Sequence, residues 1–180
     1  VELYRDRRRK MWVNQVPAKN SAALSQVYHT VFFCPDDLYL IREGAAARRR
    51  FLDCAICQLR PRYAQALAEY NRLYEHKTRI LRDWPENPSL LETLEDFNVR
   101  MAQTGALVIR YRAYFVRRLQ EAAPAVHRDF SGGREELSLT YQTVSSVSDP
   151  TAAPQKILEQ LRDHQERHRQ AERDSRHSLS

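Results

Sequence analysis

Arginine is the residue type whose clustering in this chain points most directly to chemistry, because the guanidinium group binds phosphate and carboxylate through paired hydrogen bonds. One cluster, at the start of a predicted helix, comprises Arg48, Arg49 and Arg50. A second, on a later predicted helix, comprises Arg110, Arg112, Arg117 and Arg118. Successive helical residues point about 100° apart, so a run of three cannot face one way. Contact with a polyanion and a solvated face with internal ion pairs both remain open for each arginine.

An acidic turn follows an apolar run in the first third of the chain. It consists of Cys34, Pro35, Asp36 and Asp37. Aspartate tolerates tight turns, and its carboxylate caps the segment that follows. The two carboxylates are therefore predicted to stabilise this turn.

Two pairs of metal-binding residue types occur one helical turn apart. They are Cys54 with Cys57, and His164 with His168. A zinc site needs a second pair of ligands at suitable spacing, and none is evident. The histidine pair matches neither H-E-x-x-H nor H-x-x-E-H. We therefore predict no metal site and no catalytic residue.

The sequence contains none of the motifs that hold a nucleotide triphosphate. A phosphate-binding loop reads G-x-x-x-x-G-K-[ST], and none of the four glycines begins such a motif. Neither a signature loop of the LSSGQ kind nor an aliphatic run ending in paired acids is present. The chain alone is predicted not to hydrolyse ATP, and it supplies no cofactor site.

Composition favours a helical protein with a moderately basic surface. The chain has 180 residues, 42% hydrophobic and 29% charged, with four glycines and a net charge of +6. That excess of positive charge fits a polyanion-binding surface, but it also fits a surface that only confers solubility. Three cysteines, an odd number, argue against a disulfide framework, and no apolar run is long enough to span a membrane. We expect a cytoplasmic protein with no membrane partner.

The first part of the chain is predicted to contain three strands. Residues 1–4 and 10–14 flank a charged turn, and residues 27–33 form an apolar run typical of a buried strand. The basic run 5–10 could contact phosphate or form a solvated hairpin tip.

Two long helices are predicted to follow, over residues 61–84 and 90–122. Their apolar residues repeat at alternating spacings of four and three, which predicts an antiparallel helical hairpin. Pro88 breaks the pattern, Ser89 is a predicted cap with Glu92 as its partner, and Pro124 is predicted to end the second helix. Gly105 is expected to permit close approach of the partner helix.

The chain is predicted to end with a strand and a helix. Residues 135–144 alternate apolar and polar side chains, which predicts a strand with one buried face. A helix should begin near Ala153, and beyond Leu161 it is almost wholly charged, so we expect that part to fray or to need a neighbouring molecule.

One block, residues 33–53, resembles the RecF family of bacterial DNA repair proteins. The order F-x-P-[acid]-D-L-x-L, a short link containing glycine, and then R-R-R-F-L-D carries the resemblance, which extends through residues 112–119 and 136–141 and covers nearly the whole chain. The chain departs from the family pattern at Gly44 and Ala45, where the family has Gly-x-Pro, and at Lys77 and Thr78, where it often has Arg-Asn.

The resemblance implies a fold and an organisation. The fold would be α+β and mainly α, with an antiparallel long-helix arm beside a few strands of an incomplete ABC-type ATPase head. Residues 1–44 would be partial ATPase-lobe strands, residues 45–131 the helical arm, and residues 132–180 a strand and helix leading back to the head. The family's phosphate-binding loop lies before this region, and its signature loop and metal-binding acids lie after it.

The resemblance also implies a function in recombinational DNA repair, replication-fork maintenance and the SOS response. RecF proteins are DNA-binding ATPases of the ABC/SMC type, so ATP and Mg²⁺ are implied for the longer parent protein. The implied partners are gapped or double-stranded DNA, RecR, possibly RecO, and a second RecF. The turn from Cys34 to Asp37 would correspond to the Q-loop junction that relays the nucleotide state, and both arginine clusters would face DNA or a partner.

Two alternatives remain open from the sequence. The arm could bind only protein, either RecR or a second RecF head, without any affinity for DNA. The chain could also be the equivalent piece of another SMC-like or RecN-like ATPase, although its arm is short for that class.

Overall fold

The computed structural model describes residues 1–18, 23–24 and 27–177, and for residues 88, 91 and 168–177 it describes the backbone alone. The architecture is mainly helical with one two-stranded antiparallel sheet, as predicted for an α+β, mainly α chain. The chain divides into two compact units, Val1–Ala64 and Gln65–Ser180. The predicted three-part division at residues 44 and 131 stays a prediction.

The first unit begins with a short antiparallel ladder. Glu2 and Lys10 form an isolated bridge, and strand β1 (Trp12–Val13) pairs with strand β2 (Val16–Pro17). The turn between the strands has positive φ at both central residues, as a type I′ hairpin turn requires. The predicted strands over 1–4 and 10–14 are therefore reduced to one bridge and to β1, because the chain already reverses at residues 14 and 15.

The predicted buried strand over residues 27–33 is wrong. The segment has no strand partner among the described residues, and its side chains are exposed, with Val31 at 103% and Phe32 at 84% of their reference area. Its backbone donates to the Leu24 carbonyl from Val27 and Tyr28, and the Thr30 N–H donates to Oε1 of Gln58 at 2.8 Å. A strand needs a second strand for its backbone hydrogen bonds, and the apolar run alone does not supply one.

A 3-10 turn and two helices follow along the chain, and the second helix continues past the end of the first unit. The turn is Pro35–Tyr39, helix α1 is Ala45–Leu59, and helix α2 is Pro61–Asp83, with Pro61 at its first position as predicted. Gly44 precedes α1 with φ of 83°, a conformation that favours glycine. Tyr63 is fully buried, and its hydroxyl donates to the Asp53 carboxylate at 2.5 Å.

In the second unit, α2 and helix α3 (Leu94–Ser131) pack antiparallel, which confirms the predicted helical hairpin. Lys77 donates to Oδ1 of Asn98 at 2.7 Å, and a Cβ placed on Gly105 would lie 3.4 Å from the Tyr70 ring. The contacts therefore run in reverse order along the two helices. Gly105 faces the Tyr70 side chain of α2 and also Leu161 of the last helix, so close approach of the α2 backbone at this glycine stays a prediction.

The apolar residues of α2 whose four-three spacing predicted the hairpin are Tyr63, Leu67, Tyr70, Tyr74 and Leu81, and only some of them are buried. Tyr74 and Leu81 are half exposed, whereas Leu73 is buried. The buried stripe of α3 consists mostly of small residues, namely Ala102, Thr104, Gly105, Ala106, Val108, Ile109 and Ala113. Small side chains let helix backbones approach, and two members of this stripe, Ala106 and Ile109, pack in the core that α3 shares with the last helix.

Both predicted ends of α3 are wrong. A 3-10 segment, Pro88–Thr93, precedes the helix, and the Ser89 hydroxyl donates to Oδ1 of Asn87 and does not form the predicted cap. The helix also continues through Pro124, because a proline removes one backbone hydrogen bond without preventing the following turns from forming. It ends at Gly132, whose φ of 62° is the left-handed conformation that terminates helices.

Helix α4 (Pro154–His177) packs against α3 and completes the core of the second unit. Ile157 is fully buried in a cluster with Ala106, Ile109 and Val147. The backbone is helical to His177, and fraying or support by a neighbouring molecule beyond Leu161 stays a prediction. On that charged stretch the Gln165 amide donates to the Asn98 carbonyl at 3.4 Å, so polar contacts replace apolar ones.

Residues 135–144 are extended and follow the predicted alternation without joining a sheet. Leu137, Leu139 and Tyr141 are half-buried, the intervening residues are exposed, and Tyr141 packs against the α3–α4 core. The Leu139 N–H donates to the Gln120 side chain of α3. The predicted buried face is therefore present, but a helix side chain takes the place of a strand partner.

Candidate nucleic-acid interface

An exposed face of α3 presents two arginines on either side of an aromatic ring. Arg110, Tyr114 and Arg117 follow i, i+4, i+7 spacing, so they lie along one side of the helix, and all three are exposed. The Arg117 guanidinium lies 5.2 Å from the centre of the Tyr114 ring. Neither arginine forms an ion pair with the described residues. Their charge is therefore available to an anionic ligand.

The other two arginines of this cluster are used within the chain. Arg118 forms an ion pair with Glu121, one turn further along α3. Arg112 is half-buried and takes part in an interaction inside the protein. The four arginines predicted from the sequence thus fall into two that are available and two that are engaged.

The arginines of α1 belong to the first unit and point in different directions. Arg48 donates to the Ile41 carbonyl at 3.1 Å, and Arg50 lies 3.8 Å from Glu43. Arg49 is exposed and has no ion-pair partner among the described residues. An exposed pair such as Arg50–Glu43 contributes little to stability, so a stronger anion could displace it.

Two hydrogen bonds between Cys34 and Asp37 hold the turn from Cys34 to Asp37. The Cys34 N–H donates to the Asp37 carboxylate at 2.8 Å, and the Asp37 N–H donates to the Cys34 carbonyl at 2.9 Å. Pro35 opens the 3-10 turn, and Asp36 is exposed. The geometry accounts for Asp37 through capping, and a role in relaying a nucleotide state stays a prediction.

The part of the chain that the structure describes contains no group of three or more histidine, cysteine or acidic side chains placed to hold a cation. Asp37 directs its carboxylate to the backbone, and Cys54 and Cys57 lie exposed and half-buried on α1.

Sequence reasoning missed Tyr114 as a candidate contact residue. It lies outside the apolar seam of α3, and its ring is 46% exposed. The signal was available, because an aromatic residue between arginines at helical spacing is typical of surfaces that bind nucleic acids. Separately, none of the helices in the described part is long and apolar enough to cross a membrane.

Comparison with known proteins identifies one family. No protein-family model matches the chain. Relatives named DNA replication and repair protein RecF match it from Agathobacter rectalis, with 38% identity over 72% of this chain and 36% of the relative, and from Lachnoclostridium phytofermentans, with 31% identity over 83% of this chain and 41% of the relative. The chain thus spans about two fifths of the length of these relatives.

Solved structures agree with the sequence relatives. The chain is similar to a structure of the recombination mediator protein RecF with ATPrS in the RecFOR pathway, with a TM-score of 0.76 and 25% identity over 84% of this chain and 40% of that one. A structure of the same mediator with ATP shares the fold, with a TM-score of 0.69 and 24% identity over 86% of this chain and 41% of that one. The resemblance first carried by residues 33–53 is confirmed along most of the chain, which belongs to the RecF family.

Proposed function

We propose that this chain is the middle region of a RecF-like DNA replication and repair protein, a helical arm with part of the ATPase lobe, and that the arm binds the DNA backbone through Arg110 and Arg117. The observation that carries the proposal is the exposed, unpaired state of these two arginines on one face of α3, with Tyr114 between them. Seven helical residues span about 10 Å, which is close to the rise of three base pairs along the duplex axis. The pair suits two phosphates of one strand.

In the whole protein, this arm would act at gapped or double-stranded DNA during recombinational repair. The names of the relatives and of the similar structures support a place in replication, repair and the RecFOR pathway. RecR, RecO and a second RecF are the proposed partners. ATP and Mg²⁺ would be bound outside these residues, so the arm would contribute DNA contact and not hydrolysis.

The test is a titration of the 180-residue chain against labelled gapped duplex at about 50 mM and about 200 mM salt. The double variant Arg110→Ala/Arg117→Ala should bind more weakly, and its salt slope should fall by about 0.9 for each phosphate that is no longer neutralised. Arg118→Ala is the matched control, because that guanidinium is already paired with Glu121. An unchanged salt slope in the double variant would contradict the proposal.

A purely protein-binding arm is the second candidate. It is favoured by two apolar residues near the end of α3, Val126 and Phe130, which are 54% and 87% exposed. Exposed apolar side chains on one helix turn suit a protein interface better than a phosphate backbone. If Phe130→Ser abolishes RecR binding while the unaltered chain shows no affinity for DNA, this candidate replaces the first.

A further inference from the structure

A closed basic loop at the start of the chain carries a second charged surface. The Glu2 N–H donates to the Lys10 carbonyl at 2.8 Å, and the Lys10 N–H donates to the Glu2 carbonyl at 3.0 Å. These two bonds fix the ends of the segment, which we call the basic loop (residues 2–10). The chain continues directly into the β1–β2 hairpin, so the basic loop is tied to ordered backbone at its second end.

Tyr4 organises the side chains of the basic loop. The Arg7 guanidinium lies 4.0 Å from the centre of its ring, and the Lys10 ammonium lies 5.9 Å from it. The Tyr4 hydroxyl donates to the Glu2 carboxylate, and this hydrogen bond raises the pKa of the phenol above its ordinary value. Because Glu2 is occupied by Tyr4, its charge is not directed at an arginine.

The basic loop concentrates positive charge that the protein does not neutralise. It contains five cations within six positions, at residues 5 and 7–10, and one acid among them, Asp6. All six side chains are exposed, and within the ranges that the structure describes none of them forms an ion pair. The α3 face offers only two available arginines over two helical turns, so the basic loop is the denser cationic surface.

The chemistry of the basic loop favours a phosphate backbone over a protein partner. Duplex DNA carries one negative charge per about 1.7 Å of its axis, which suits closely spaced guanidinium groups. The cores of protein interfaces are depleted of charge and enriched in apolar contacts, whereas residues 5–10 contain no apolar side chain. The stacking of Arg7 on Tyr4 also restricts one guanidinium before binding, which reduces the entropy cost of binding a phosphate.

We propose that the basic loop is a DNA-phosphate-binding element in its own right, separate from the arginine face of α3. This inference depends on the proposed function in one respect, namely that DNA is the polyanion that the chain binds. Arg5, Arg8 and Arg9 would contact phosphates directly, while Arg7 would be presented by Tyr4. Binding of this kind is independent of base sequence and falls steeply with salt.

The experiment compares three double variants of the 180-residue chain against labelled duplex at several salt concentrations. Arg8→Ala/Arg9→Ala removes charge from the basic loop, and Arg110→Ala/Arg117→Ala removes it from the α3 face. Arg82→Ala/Arg100→Ala removes the same number of positive charges. It is the control because those arginines are already paired with Asp83 and Glu69. The basic-loop variant should bind at least about fivefold more weakly near 50 mM salt, and its salt slope should fall by about 0.9 for each phosphate left without an arginine.

The outcomes separate the two proposals. If the basic-loop variant binds like the control while the α3 variant weakens, the inference is overturned and the proposed function stands. If only the basic-loop variant weakens, the inference stands and the α3 face is not the DNA surface. An unaltered chain that binds no duplex at low salt, or that binds acidic polypeptide in preference, overturns the inference.

A second pair of variants tests the role of Tyr4 without changing any charge. Tyr4→Phe keeps the ring under Arg7 but frees the Glu2 carboxylate, so it should bind duplex more tightly than Tyr4→Ala and no more tightly than the unaltered chain. Tyr4→Ala removes the ring and should weaken binding several-fold, because Arg7 is then no longer supported. Equal affinities for the two variants would contradict the stacking argument.

Discussion

Residues 27–33 in the first unit and residues 135–144 in the second both lie outside helices and strands, and they differ in what covers them. Leu137, Leu139 and Tyr141 turn one face toward α3, whereas Val31 and Phe32 are exposed almost completely. From residue 136 to residue 142 the uncovered face carries only polar side chains, whereas residues 27–33 are apolar in five of seven positions. The comparison teaches that a helix can stabilise an extended segment through one face without any strand partner.

The free energy of unfolding should depend more on apolar volume in the core that covers residues 135–144 than on apolar volume in residues 27–33. Ile157 is fully buried in the core beneath Tyr141, so Ile157→Ala is expected to lower the free energy of unfolding by about 2–5 kcal/mol. Val31→Ala, in the exposed segment, should change it by less than about 0.5 kcal/mol. Urea denaturation followed by far-ultraviolet circular dichroism measures both. Equal effects of the two substitutions would break the comparison.

The exposed segment should promote association between molecules. Val31→Lys places a charge on an open apolar edge, and we expect it to weaken self-association by about tenfold, equivalent to about 1.4 kcal/mol. Thr140→Lys, on the polar outer face of the covered segment, is the matched control and should have no such effect. Analytical ultracentrifugation over a range of concentrations checks both variants. Self-association that is unchanged by Val31→Lys would show that the molecules do not associate through residues 27–33.

Gly105 tests how closely the covered side is packed. An added Cβ would lie 3.4 Å from the Tyr70 ring, an ordinary contact, so Gly105→Ala should stabilise the protein by up to about 1 kcal/mol through helix propensity. Gly105→Val adds two methyl groups toward Tyr70 and Leu161 and should destabilise it. Thermal unfolding of the two variants gives the signs. A stabilising valine would mean that the helices have more room than the distances indicate.

The smallest effect is expected in the loop that leads from the covered segment into α4. The hydrogen bond from the Thr151 hydroxyl holds the pKa of Asp149 below its ordinary value of 3.8. Because the folded-state pKa is lowered, the stabilisation is complete above the unfolded-state pKa and disappears as the pH falls through the folded-state pKa. In Thr151→Val the Asp149 pKa, measured by NMR titration, should rise toward 3.8. A titration unchanged by this substitution would remove Thr151 as the cause.

The sequence predicted what local patterns determine. Helical spacing placed α2 and α3 and their antiparallel packing, and alternation identified the buried face of residues 137–141. The strand expected at residues 27–33 failed because pairing depends on a second segment that the local sequence does not specify. The extent of α3 past Pro124 was missed because a missing N–H weakens a helix without dictating its end.

For a similar reason, the sequence predicted which residues form the candidate surfaces but not which of them are available to a ligand. The arginine clusters and the basic run can be read directly from residue types. Their availability cannot, because it depends on whether an acid such as Glu121 or Glu43 lies within reach in the folded chain. The contribution of Tyr4 likewise depends on the bridge that closes the basic loop.

Pro124 has a mechanical consequence for α3. Proline has no N–H, so the Gln120 carbonyl receives no backbone hydrogen bond from position 124, and the helix is weakest at that step. The side chain of the same Gln120 anchors Leu139, so the gap in backbone support and the attachment of the extended segment coincide. Residues 125–131 should therefore exchange their amide hydrogens faster than residues 100–113. The parts of α3 before and after Gln120 should move as two separate helical segments.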